Sequence, residues 1–352
     1  MASLMEKMMK AGAGKVSASV LSTSKFFNQK DPIVTDLPIL NAAFSGRLDG
    51  GLVPGLTVFA GASKSFKTML GLYCMKAYLD KHKDGIAILY DSEFGITPEY
   101  IQSFGIDTDR VLHIPIPNIE DLKFDIMGRL DEIGKGDKVF LLIDSIGNLA
   151  SKKEVEDALN EKSVADMTRA KQLKSLFRMV TPILTMKDIP CIAINHIYME
   201  QGLYPKAIVS GGTGIYYSAN TIFIITKSQE KNADGIIGWN FTINIEKSRF
   251  VKEKAKLIFT VLYGSGIKKW SSMFDLAIES GHIRKASTQG WYNLVDLETG
   301  EILEPKRRAK DIDEDDAFFA ALVKNTDFND YVMNKYQLTG TPSGGGDEED
   351  EE

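Results

Sequence analysis

Short apolar runs set off by Gly, Asp or Pro recur along most of this chain, and each reads as a strand: Thr57–Ala60, Ile86–Asp91, Val111–Ile114, Val139–Ile143, Pro190–Asn195, Thr221–Thr226, Phe241–Glu246 and Leu257–Leu262. Runs such as Val139 to Ile143 lack polar alternation, the pattern of strands buried on both faces. Between the earlier strands the period changes. Ile119, Leu122, Ile126, Leu130 and Ile133 recur at spacings of 3, 4, 4 and 3, which is one face of a helix. Strands alternating with helices predict an α/β fold over residues 33–267, with a mostly parallel sheet covered on both sides. Residues 1–32 hold a short amphipathic helix candidate and a polar patch ending in Phe26-Phe27. Residues 268–336 lose the rhythm and read as a small C-terminal domain, and residues 337–352 as a flexible acidic tail.

Composition narrows the class. At 43% hydrophobic and 26% charged residues, the 352-residue chain is neither disordered nor a disulfide scaffold. Its two cysteines, Cys74 and Cys191, are isolated in apolar stretches, make no zinc site and suggest a reducing compartment. Residues 1–15 lack the apolar core of a signal peptide, and no run approaches the ~18 apolar residues of a membrane span. A cytoplasmic location with no membrane partner is the expectation. The formal charge of −6 sits entirely in the last six residues, Asp347 to Glu352, so residues 1–346 are neutral as a whole. Behind the hinge Ser343 to Gly346, that acidic string reads as a tethered tail. It either solubilises the chain or competes with an anionic ligand for a basic surface.

One loop carries specific chemistry. The strand ending at Ala60 leads into Gly61, Ala62, Ser63, Lys64, Ser65, Phe66, Lys67 and Thr68, and then into a helical run. Strand, glycine-opened loop, Lys-Thr and helix are the context of a phosphate-binding loop, whose backbone N–H groups and helix N-terminus favour an anion. Lys67 would meet the β- and γ-phosphates of ATP, and the Thr68 hydroxyl a Mg²⁺ ion. The general motif has Gly where Phe66 stands, so the Phe66 ring must point away from the phosphates; a surface turn with an incidental Lys-Thr is the alternative. Two further strands end in carboxylates. Asp144 suits the acid that holds Mg²⁺ through water, and Glu93, after Tyr90-Asp91-Ser92, suits a general base toward the attacking water. Each is otherwise a helix-capping acid.

With these residues in view, the chain resembles the RecA-type recombinases, and within them the T-even bacteriophage branch, from about Lys25 to at least Trp291. The Ser63-to-Lys67 loop with its Phe66, the run from Tyr90 to Pro98, and the run from Ile143 to Glu154 all match that branch. The resemblance implies a RecA-like P-loop ATPase core, an N-terminal oligomerisation segment and a small C-terminal domain. It implies Lys67 and Thr68 as the Walker A pair, Asp144 as the Walker B acid and Glu93 as the catalytic base. Thr97 and Tyr100 match positions that pack on adenine. His196 stands where RecA has a Gln that senses the γ-phosphate; its imidazole can still donate to a phosphate oxygen, although its charge varies near neutral pH.

The stretches Glu156–Asp166 and Ile197–Gly214 are polar and aperiodic, and in RecA-like proteins the corresponding loops bind single-stranded DNA. Glycines let backbone N–H groups approach phosphates, and Lys206 adds charge. Arg169, Lys206, Ser210, Gly211, Gly212 and Thr213 are the expected DNA contacts. Lys247 and Arg249 fit the place where RecA reaches across the subunit boundary to a neighbour's ATP; a solvent-facing strand end is the alternative. The resulting expectation is an ATP- and Mg²⁺-dependent recombinase. It would form helical filaments on single-stranded DNA, pair them with double-stranded DNA and exchange strands. A recombination mediator and a single-stranded-DNA-binding protein are the expected partners, and the place is the nucleoid, or the host cytoplasm if the chain is phage-encoded. A ring-forming helicase and an ATP-gated mediator without strand exchange are the alternatives.

Overall fold

The computed structural model describes residues 3–11, 18–24, 32–134, 136–160, 168–200, 205–233 and 235–338. The chain packs as two units, Met1–Asp31 and Pro32–Glu352. In the first, Ser3 and Glu6 form a reciprocal capping box that starts α1 (Leu4–Lys10), none of whose residues is buried. Phe26 and Phe27, and the acidic string Asp347–Glu352 with its hinge, lie outside the described residues.

The second unit is built on a large twisted sheet. Its strands are β1 (Gly55–Gly61), β2 (Ile86–Asp91), β3 (Val111–Pro115), β4 (Val139–Asp144), β5 (Pro190–Asn195), β8 (Thr221–Asn232), β9 (Gly235–Ser248), β10 (Lys256–Leu262) and β11 (Gly266–Ile267), and a small hairpin, β6 (Ile197–Met199) with β7 (Ala207–Val209), stands beside it. The order across the sheet is β11-β10-β9-β8-β1-β5-β4-β2-β3. From β3 to β8 every pairing is parallel, and from β8 to β11 every pairing is antiparallel. The central strands β1, β4 and β5 are buried along their whole length. Alternate residues face opposite cores: Phe59 and Leu142 join one apolar cluster, Val58, Leu141 and Ile143 the other. Helices α2 (Pro38–Ser45) and α3 (Lys67–Lys81) pack on the first face, and α5 (Ile119–Glu132) and α7 (Thr168–Met186) on the second. In α5 the predicted stripe Ile119, Leu122, Ile126 and Leu130 is the buried face.

Three differences from the sequence reading have physical causes. The strand expected to stop at Thr226 runs on to Asn232, and the one expected to begin at Phe241 begins at Gly235. Beyond Thr226 the two form a hairpin whose side chains are largely exposed, so backbone pairing holds it without an apolar pattern. The polar stretch 197–214 is not all loop: it contains β6, β7 and the start of α8 (Thr213–Ser218), in segments too short for a period to register. The stretch Glu156–Asp166 begins inside α6 (Lys152–Leu159), and 161–167 lie outside the described residues.

Residues 268–336 carry a three-stranded sheet, β12 (Ile283–Lys285), β13 (Trp291–Leu294) and β14 (Arg307–Arg308), with α9 (Met273–Glu279) and three later helices. They do not separate as a unit. Trp270, Leu276, Phe319, Phe328 and Val332 belong to the same apolar cluster as Phe44 and Phe59.

Candidate functional site

The parallel register brings the candidate residues to one edge. Asp91 pairs with Asp144 across β2 and β4, and Ala60 with Asn195 across β1 and β5. The loop after β1, Glu93 after β2, Asp144 at the end of β4 and His196 after β5 therefore emerge together at the carboxyl ends of adjacent strands, where open α/β sheets bind ligands. They line an open cleft of about 270 Å³, formed by Ser63 to Met69, Glu93, Tyr100, Asp144, Ile194 and His196.

The loop folds over the N-terminus of α3. Phe66 sits in the left-handed region, φ 68° and ψ 13°, the conformation that makes glycine the common choice here. A left-handed non-glycine residue costs about 1–2 kcal/mol. That cost is offset by packing, because the Phe66 ring lies 4.8 Å from Phe241 and 6.0 Å from Phe259, on β9 and β10. Gly61 is needed for closeness: a Cβ there would fall 2.6 Å from both Ile225 O and Ser65 Oγ. Lys67 is buried, and its Nζ donates to Ala62 O at 2.7 Å, Gly61 O at 3.2 Å and Ser65 Oγ at 3.3 Å. Burial pulls its pKa below the ordinary lysine value, against the pull of Asp144 and Glu93.

Across the cleft, the Thr68 hydroxyl donates to Asp144 Oδ2 at 2.6 Å. The other oxygen, Oδ1, is buried without a hydrogen-bond partner. Burial above all, then the nearby Glu93 and Asp91, push the Asp144 carboxyl up to about 6, against the Thr68 bond and Lys67. A buried, half-satisfied carboxylate beside a hydroxyl is a donor pair suited to a hard divalent cation. Among the described residues there is no cluster of three or more His, Cys, Asp or Glu side chains that could hold a metal alone. A Mg²⁺ ion at Asp144 and Thr68 would draw its remaining ligands from phosphate and water.

Glu93 is held at its tip. Its Oε1 accepts from Ser145 Oγ at 2.8 Å and Asn148 Nδ2 at 3.0 Å, and His196 Nε2 lies 3.3 Å away. Among the described residues none donates to Oε2. The His196 ring fits because residue 147 is glycine: a Cβ there would come within 2.3 Å of His196 Cδ2. Ser145 and Asn148 were not singled out from sequence, although both fall within the run that carried the resemblance. Tyr100 lines the cleft and packs edge-on against Phe104. Thr97 does not line it. It caps α4 (Pro98–Ser103), its Oγ1 accepting from Tyr100 N at 3.2 Å.

The expected DNA contacts divide. Ser210, Gly211, Gly212 and Thr213 form one turn leading into α8, with Gly211 and Gly212 at φ 96° and 78°. Ser210 N donates to His196 O at 2.9 Å, and Asn195 Nδ2 donates to Ser210 O at 2.7 Å, which ties this turn to the end of β5. Lys206 is exposed just before β7. Arg169 is half-buried, and its guanidinium donates to the carbonyls of Leu149, Ile146 and Gly147 at 2.8–3.0 Å. It clamps the chain that follows β4, and its Nη1 lies 3.5 Å from Ser210 Oγ in the glycine turn.

Lys247 and Arg249 stand elsewhere. Lys247 pairs with Ile222 near the start of β8, while Gly61 pairs with Ile225, farther along the same strand. The two cations therefore lie toward the amino edge of the sheet, opposite the edge that carries the cleft. Lys247 Nζ donates to Tyr216 O at 2.6 Å and lies over the Tyr216 ring, 5.3 Å from its centroid. Arg249 is exposed.

Comparison with known proteins matches residues 14–268 to the RecA N-terminal domain, and residues 270–332 to the C-terminal domain of the bacteriophage T4 recombination and repair protein. The Recombination and repair protein of Enterobacteria phage T4 is 47% identical over 96% of this chain and 87% of its own length. Protein RecA of Rhodococcus opacus is 26% identical over 81% of this chain and 77% of its own, and Protein RecA of Cytophaga hutchinsonii 26% over 89% and 86%.

Proposed function

The chain belongs to the RecA family and is a DNA-dependent ATPase of recombination and repair; from that premise we propose that it assembles as a helical filament on single-stranded DNA, pairs the filament with duplex DNA and exchanges strands. The observation that carries the ATPase chemistry is the cleft, where Lys67, the half-satisfied Asp144 and the tip-held Glu93 converge.

Bound Mg²⁺ would supply charge to a triphosphate, held through Thr68 and Asp144. Lys67 exchanges its three loop acceptors for phosphate oxygens, a trade of neutral partners for charged ones. Glu93 takes the proton of the attacking water at Oε2, while Ser145 and Asn148 keep Oε1 fixed and the carboxylate correctly turned. His196 contacts both Glu93 and the turn at Ser210, so a phosphate drawing on its imidazole also bears on the hairpin expected to meet DNA. Tyr100 offers an aromatic face to the base.

Lys247 and Arg249 lie away from their own cleft, which supports a role at the ATP of a neighbouring copy. A recombination mediator and a single-stranded-DNA-binding protein are proposed to regulate loading. Among the described residues no helix is long and apolar enough to cross a membrane, and the proposed setting is the host cytoplasm, at the nucleoid.

Electron microscopy with ATP, Mg²⁺ and single-stranded DNA tests the assembly: helical filaments are expected, and closed rings or isolated subunits overturn it. Mixing Lys67→Ala protein with the Lys247→Ala, Arg249→Ala double variant tests the shared site. Each is expected to be inactive alone, with partial ATPase in the mixture. No recovery in co-assembled filaments removes the neighbour role.

A further inference from the structure

The run Tyr90-Asp91-Ser92-Glu93 ends a strand with two carboxylates, and only Glu93 reaches the cleft. Asp91 is 1% exposed, a costly place for a carboxylate unless its oxygens are well bonded. They are. Oδ1 accepts from the backbone N–H of Glu93 at 2.9 Å and of Phe94 at 2.7 Å, and Oδ2 lies 3.2 Å from His113 Nε2 on the neighbouring strand β3. We propose that Asp91, backed by His113, is the positioning residue for the ATPase: it fixes the backbone from which Glu93 projects. This rests on reading Glu93 as the base.

The turn it holds is one the chain would not choose unaided. Phe94 sits at φ 56° with its side chain 66% exposed, so neither backbone preference nor burial favours this conformation. What selects the turn is the pair of N–H groups gathered on one buried oxygen, each bond strengthened by the acceptor's charge. With the turn made, Glu93 lies over the end of β4, where Ser145 and Asn148 reach its Oε1. Ser92 stitches the same corner, its Oγ donating to Ser145 O at 2.7 Å and accepting from Ser145 N at 3.1 Å. The base is thus gripped at its root by Asp91 and at its tip from β4. His113 is 45% exposed in its side chain, and by occupying Oδ2 it leaves Oδ1 to both N–H groups.

The test compares Asp91→Ala, Asp91→Asn, His113→Ala, His113→Gln and Glu93→Gln in the full chain, with single-stranded DNA, by steady-state ATP hydrolysis and by direct nucleotide binding. A misplaced base costs turnover and spares binding, so Asp91→Ala should lower kcat roughly 30-fold with KM for ATP within about twofold. Asp91→Asn, whose amide oxygen still accepts both N–H bonds, should recover most of that loss. His113→Ala should lower kcat roughly threefold, and His113→Gln, which keeps a donor, should restore it. Unchanged kcat in both Ala variants, or equal losses in kcat and nucleotide affinity, overturns the proposal. If Asp91→Ala does not fold, the half-exposed His113 pair decides alone. Normal turnover in Glu93→Gln refutes the reading of the base itself, whereas an inactive Glu93→Gln beside fully active Asp91 and His113 variants refutes only the positioning.

Discussion

Replacing Asp144 with Asn should make the stability of the ligand-free protein gain on that of the parent as pH rises from 5 to 7, while it makes the enzyme inactive. The carboxyl is 2% exposed, one oxygen has no partner, and burial pushes its pKa from 3.8 up to about 6. A shift of that size is worth about 3 kcal/mol between the two protonation states. The folded pKa lies above the unfolded one, so between about pH 4 and pH 6 the folded protein holds the extra proton. Stability from this group therefore falls as pH rises through the window, with about half of the penalty present near pH 5 and nearly all of it near pH 7. The amide that Asp144→Asn introduces keeps an acceptor for Thr68 but does not titrate. Whatever fixed cost it brings is the same at every pH, so the informative quantity is the change in the gap between the two proteins. Urea unfolding in chelator, without nucleotide, should show that gap moving in favour of Asp144→Asn by about 1 kcal/mol from pH 5 to pH 7. With Mg²⁺ and a non-hydrolysable ATP analogue the trend should shrink, because the carboxylate then has a counter-charge. A pH-independent gap would show that Asp144 is solvated or paired in the free protein, and the metal assignment would lose its main physical support.

Phe66→Gly removes about 1 kcal/mol of left-handed strain but also the contacts with Phe241 and Phe259. Urea unfolding should show a net loss of about 1–2 kcal/mol, with nucleotide affinity changed only a few-fold; a stabilised variant would mean that the aromatic contacts contribute nothing. Gly147→Ala forces the His196 ring off its position, so kcat should fall roughly tenfold or more while nucleotide still binds, and unchanged turnover would release His196 from the chemistry. Deleting residues 343–352 should tighten DNA binding at low salt, most for duplex DNA, with the difference fading as salt or Mg²⁺ rises; equal affinities at low salt would reduce the tail to a solubilising end.

The strands and residues of the cleft were legible in the sequence because burial writes itself as apolar runs and strand ends write themselves as carboxylates. The distal β8–β9 hairpin was not, since Lys227 to Asn232 meets solvent and its order comes from backbone pairing. Roles that depend on three-dimensional partners were also hidden. That Thr97 also caps a helix, and that Arg169 also bonds three carbonyls, could not be read from the letters. Asp91 and Glu93 looked alike as letters, and only the direction of their hydrogen bonds separates them. Phe66 went the other way: a mismatch to the general motif became intelligible once its ring was seen between two strands far along the chain.

The two hydrogen bonds that join Ser210 to Asn195 and His196 close the excursion through β6 and β7 at its neck. The entropy of bringing its ends together is already spent in the free protein. The neck also holds the roots of β6 and β7 together, so a pull on either strand is met at these two hydrogen bonds. Force applied there is delivered first to the peptide of His196, so the pocket's nearest side chain stands at the fixed end of a short closed lever.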